Sequence, residues 1–249
     1  MDQMLSQISA PAVRKVLTTY NSSMLASASK PKAQLVITKA TICLFCLLLG
    51  PATRADSDFG VSLNLLVKAD LENDWFIISR SNLATRDNNG ELFFGYAGAA
   101  LGYQFTDSAS LRIGYRQARL KVGAQWQRED RPFVELFSRF DGNDWRFSNR
   151  ARVEFRFFDY RDDDIRLRNE IAFEAPARLT TLALQPYLEE EIFYALNANR
   201  IEANWLTLGL SWRPFGGAKF KAGYRWNRFR IGEEWRDRDV LVLGFNRFF

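Results

Sequence analysis

The chain has 249 residues, 34 basic and 29 acidic side chains, two cysteines and no histidine. That length holds one or two domains, and the missing histidine excludes every mechanism that needs an imidazole base or ligand. The positive excess sits in residues 1–55, with six basic groups and one acidic; residues 56–249 carry 28 of each, so the charge gives no argument for a nucleic-acid partner.

Residues 1–55 are predicted to be a leader. Lys39 precedes an apolar run through Gly50, about a dozen residues long and too short to cross a bilayer as a helix. Small residues follow at Ala52 and Ala55, either of which suits cleavage. Met24 would open a leader of ordinary length, with residues 1–23 a misassigned start. Both cysteines, Cys43 and Cys46, would leave with the leader, so the mature chain has neither disulfide nor thiol site.

From residue 56 onward the chain reads as one domain of amphipathic strands with no helical stretch. The clearest runs from Trp145 to Phe157. Its odd positions include Trp145, Phe147, Val153, Phe155 and Phe157, and its even positions include Arg146, Arg150, Arg152, Glu154 and Arg156. A strand sorts these residues into one apolar and one charged face, whereas a helix would scatter them. Ile165, Leu167, Ile171 and Phe173 alternate in the same way with Arg166, Arg168, Glu170 and Glu174. Similar segments are predicted at 59–68, 75–85, 91–105, 110–126, 132–140, 181–194, 200–213, 218–231 and 237–249. Turn chemistry such as Asp87-Asn88-Asn89-Gly90 separates them.

These segments fit a soluble barrel with an apolar inside or a membrane barrel with an apolar outside. Runs of 11–15 residues exceed the ~9–11 needed to cross a bilayer as a tilted strand. Aromatic residues gather near strand ends, as at Trp145, Tyr103, Trp212 and Trp226. The terminus places Leu241, Leu243, Phe245 and Phe249 on one face, resembling the signal by which bacterial assembly machinery recognises barrels, except that Arg247 stands where an apolar residue is usual. The expectation is a transmembrane, antiparallel, up-and-down β-barrel in the outer membrane of a Gram-negative bacterium. Eleven segments are visible, but single-chain bacterial barrels have even numbers. Twelve strands are therefore favoured, with ten as the alternative. The doubtful stretch is 110–131, where apolar parity switches from Leu111 and Ile113 to Leu120 and Val122. A bulge would keep one strand there, and a turn near Gln117–Arg119 would make two.

Glu129-Asp130-Arg131-Pro132, the run Arg150-Ala151-Arg152-Val153-Glu154-Phe155-Arg156, Arg166-Leu167-Arg168, Pro186-Tyr187-Leu188 and Glu190-Glu191-Ile192-Phe193 together resemble a family of bacterial outer-membrane barrels known as domain of unknown function 2490. The resemblance covers roughly residues 57–249 and implies the fold and the compartment. It brings no activity and no catalytic residue.

The candidate site is a lattice on the charged face: Arg150, Arg152, Glu154, Arg156, Arg166, Arg168, Glu170, Glu189 and Glu191. Arginine suits it because its planar fork makes paired bonds to carboxylates and stays charged. Such a lattice is either the polar filling of a narrow barrel or the lining of a pore for small anionic solutes. The known barrel hydrolases rely on histidine, which is missing here, so no catalytic residue, metal ligand or cofactor is assigned. The remaining enzymatic rival is a carboxylate pair, Glu189 with Glu191, about 6.5–7 Å apart along a strand. The expected partners are outer-membrane lipid and lipopolysaccharide, and the assembly machinery during biogenesis through Phe245 and Phe249. The third reading is a soluble secreted barrel, which would bury Trp145 and Phe155 in a dry core.

Overall fold

A computed structural model describes residues 58–142, 144–176 and 183–249. The leader, its cleavage point and both cysteines lie outside the described residues. Eleven strands follow in chain order: β1 (Asp58–Asp70), β2 (Trp75–Arg86), β3 (Glu91–Thr106), β4 (Ala109–Val122), β5 (Gln125–Gly142), β6 (Trp145–Phe158), β7 (Asp164–Glu174), β8 (Gln185–Ala195), β9 (Arg200–Trp212), β10 (Ala218–Ile231) and β11 (Glu234–Phe248). Each pairs with its sequence neighbours, and β1 meets β11, so the sheet closes into a barrel.

The period-two pattern decides what each wall presents to either side. Among the described residues, 38 large apolar side chains are exposed, whereas the buried set holds 17 polar or charged residues and only 13 apolar ones. The barrel is thus greasy outside and charged inside. Trp145 and Phe155 stand on the outer side, 53% and 40% exposed, which removes the dry core that a soluble barrel would make of them. One small apolar cluster lies within, formed by Phe76, Ile78, Ala100 and Phe133 with Leu66 against it. The Phe76 ring occupies the space where a Cβ at Gly102 would stand, so glycine there lets the ring lie flat on the inner wall.

Two expectations are corrected. The barrel has eleven strands, neither twelve nor ten, and it is not antiparallel throughout. β1 runs parallel to β11 over eleven paired positions, from Asp58↔Arg238 to Lys68↔Phe248. An even count is required only when the closing pair is antiparallel; a parallel seam closes an odd number. The second correction concerns 110–131. β4 continues unbroken to Val122, paired with β5 from Ala109↔Ser138 to Val122↔Gln125. Arg112, Arg116 and Ala118 remain buried in one inward row, so neither a bulge nor a turn interrupts at Gln117–Arg119. The turn falls at Gly123, whose φ of 59° suits a residue without a Cβ. The apolar parity changes because the strand nears the barrel's end, where neither face is enclosed.

The parallel seam can be tested by cross-linking. With Cys43 and Cys46 replaced by serine, L63C with L243C is expected to form an intramolecular disulfide. These residues are direct partners across the seam, and neighbouring strands lie about 4.8 Å apart, within disulfide reach. L63C with L208C, whose strands are not adjacent, should not. Failure of the first pair on a non-reducing gel would reject the eleven-strand closure.

Candidate functional site

The strand pairing brings charged residues of β2 and β4–β9 to one interior region. Two carboxylates stand at its centre, and both are fully buried. Glu154 on β6 accepts bonds from Arg166 at 2.6 Å, Arg168 at 2.7 Å and Arg152 at 3.0 Å, with Arg116 at 3.8 Å. Glu135 on β5 accepts from Arg112 at 2.7 Å, Arg152 Nε at 2.8 Å and Arg80 at 3.2 Å. Arg152 joins the two centres.

The network spreads from there towards both ends. Arg168 and Arg150 share Glu191 at 2.7 and 3.1 Å, and Arg150 also bonds Glu170. Arg166 and Arg156 share Glu202 at 2.8 and 3.3 Å, while Arg156 and Arg131 clamp Glu129, each at 2.5 Å. Arg152 and Arg168 stand directly opposite each other in the β6–β7 register. Like charges so placed would repel; here Glu154 bonds both.

Ring faces complete the coordination. Arg152 lies over Phe133 at 4.5 Å and Arg168 over Phe193 at 4.6 Å. Arg116 lies over Tyr96 at 3.9 Å, and Arg225 over Trp205 at 4.9 Å while donating to the Thr207 hydroxyl at 2.9 Å. Desolvated cation–π contacts of this kind contribute about 2 kcal/mol.

Of the nine candidate residues, eight lie in this one network: Arg150, Arg152, Glu154, Arg156, Arg166, Arg168, Glu170 and Glu191. Glu189 instead pairs with Lys221 of β10. The Glu189 and Glu191 pair is therefore divided between different cations, Lys221 for the first and Arg150 with Arg168 for the second. Sequence reasoning missed Arg80, Arg112, Arg116, Glu129, Arg131, Glu135 and Glu202. Glu129, Arg131 and Glu135 do share a parity, but Phe133 and Phe137 fall in the same row and disguise the charged face. Among the described residues no group of three His, Cys, Asp or Glu is arranged to hold a metal ion. At the C-terminus, the Phe245 ring stacks outside the barrel against Phe220 at 4.8 Å. The Phe249 amide donates to the Lys68 carbonyl at 2.9 Å, fastening the end of the chain to β1.

A closed β-barrel with an apolar outer wall and an ion-paired interior is the class that this fold and site define. Within it, the chain belongs to the family described as "Protein of unknown function (DUF2490)", whose model matches residues 59–238. No curated protein matches the chain. Among solved structures, an anion-selective porin from Comamonas acidovorans is similar at 13% identity and a TM-score of 0.36, over 68% of this chain and 55% of the porin. The chain thus spans about half the length of that porin, and at such similarity nothing about function is carried across.

Removing Glu154 would leave Arg152, Arg166 and Arg168, all of them buried, facing one another without the carboxylate they share. Breaking a buried ion pair typically costs about 3–5 kcal/mol. E154A is expected to lower the unfolding free energy of the refolded barrel by that order, read as a fall in its urea midpoint, and far more than E233A, whose carboxylate is 83% exposed. Equal midpoints for the two variants would reject the central role of Glu154.

Proposed function

We propose that the chain is an outer-membrane barrel whose interior is a closed, ion-paired filling, so that it serves the envelope as a structural, non-conducting element at rest. The membrane part of this reading is supported by the outer wall. Its exposed leucine, isoleucine and phenylalanine side chains recur on every strand, whereas soluble monomers rarely expose apolar patches larger than a few hundred Å². Trp75, Tyr103, Phe140, Trp145, Trp212 and Phe220 lie towards one end, a distribution suited to a bilayer interface. Strands of 11–18 residues suffice to cross.

One observation carries the closed state. Glu135 and Glu154 are 0% exposed and Arg152 is 3% exposed, although all three point into the barrel. An aqueous path through the middle would have to wet them. Their charges are satisfied by one another, which leaves the lattice more like a polar core than a selectivity ring.

Planar-bilayer recording of the refolded, heat-modifiable barrel is expected to show no unitary steps. The double variant E135A/R152A, which removes two central members together, is expected to conduct. Anion-selective steps from the unmodified barrel, weakened by R152A or R168A, would replace the closed reading with a pore for small anions.

A further inference from the structure

The outer wall is not uniformly convex. A groove of about 720 Å³ is lined chiefly by outward-facing residues of β1, β2 and β9–β11, among them Leu63, Leu65, Leu83, Trp212, Leu243 and Phe245. On β10 the small Ala222 lines this outer face and leaves it open. Among the described residues no acidic one lines the groove.

A cation stands at the foot of this groove. Arg247 lies two residues beyond Phe245 on the same outer face of β11, about 6.5–7 Å further along. Its guanidinium donates to the Gly216 carbonyl at 3.0 Å and lies over the Phe249 ring at 4.7 Å. No carboxylate pairs with it among the described residues, although most arginines of the barrel have one. Arg247 is also where the terminal strand departs from an apolar pattern, and it lies opposite Ala218, just beyond the ring of Phe220, at the level where a phospholipid headgroup sits.

We propose that the β9–β11/β1–β2 groove holds an acyl chain of one glycerophospholipid, with Arg247 on its phosphate. The volume lies in the range of small-molecule sites, and a planar guanidinium matches phosphate oxygens. Lys221, which also lines the groove, is paired with Glu189, so the one cation free for a headgroup lies just beyond the lining, at Arg247, and suits a lipid with one phosphate better than a lipid A bearing several. The proposal rests on the membrane reading above.

The test uses the full chain, extracted from membranes in detergent, shown to be heat-modifiable, delipidated, and titrated with dioleoyl phosphatidylglycerol under native mass spectrometry. One lipid per barrel is expected. Dioleoylglycerol, with the same chains and no phosphate, should be retained at least about tenfold less, and R247A should weaken phospholipid retention by a similar factor, that of a lost hydrogen bond to a charged group. R247K should keep part of it. A222W, which fills the groove without touching the cation, should abolish the one-to-one complex. Equal retention by R247A or A222W, equal retention of dioleoylglycerol, or no retention by a heat-modifiable barrel would overturn the proposal while leaving the membrane reading intact. Preference for lipid A would overturn the choice of lipid. A chain that is soluble without detergent and insensitive to heating would instead overturn the membrane reading itself.

Discussion

Two carboxylates that never meet water, Glu135 and Glu154, set the terms for the rest of this barrel. An unpaired carboxylate at such depth would be prohibitively desolvated. Each is therefore surrounded by guanidinium groups delivered from several strands. Arg152 belongs to both, so β2, β4, β5, β6 and β7 are tied together through six side chains around these two centres. The register of this half of the barrel is fixed by that requirement. Sliding β6 against β7 by one residue would turn Glu154 to the outside and take from Arg166 and Arg168 the carboxylate they share.

The choice of cation follows from the same constraint. Of the 28 basic residues after residue 56, 24 are arginine. A guanidinium reaches two carboxylates at once, as Arg168 does between Glu154 and Glu191, and it is less strongly hydrated than an ammonium. Two of the four lysines, Lys219 and Lys221, sit where β10 begins, and each is paired with one interior carboxylate, Glu174 or Glu189. Among the described residues, each interior side chain that bridges two carboxylates is an arginine, and Lys219 and Lys221 each neutralise one.

Much of this is legible in the amino-acid sequence. The alternation from Trp145 to Phe157 allows only a strand with a charged face, and two such strands joined by a short turn must place their charged faces together. That logic located Arg150, Arg152, Glu154, Arg156, Arg166, Arg168 and Glu170. It failed for Arg112 and Arg116, because β4 mixes glycine and alanine into the inward row and inverts its apolar parity near the end. It failed for Glu135 because aromatic residues share its row. The closing seam was illegible for a different reason. Whether β1 meets β11 in parallel depends on the ends of the whole sheet, and no local pattern records that. The even-number rule then pointed away from the correct count of segments.

The aromatic residues that disguised β5 have their own physical role. An interior filled by arginine meets a supply problem, because each guanidinium added needs a partner and each carboxylate added must itself be desolvated. A ring face offers negative potential with no desolvation penalty of its own. Arg116 has its nearest carboxylate at 3.8 Å but lies 3.9 Å from the Tyr96 ring. Arg225 has Thr207 and Trp205. Phe133 and Phe193 each face two or more arginines, and both are themselves buried. The inward aromatics are thus part of the electrostatics, and replacing one by leucine would keep an apolar side chain there while removing the charge support. The barrel's inner wall reads as half apolar in sequence because its cations are solvated by rings as well as by carboxylates.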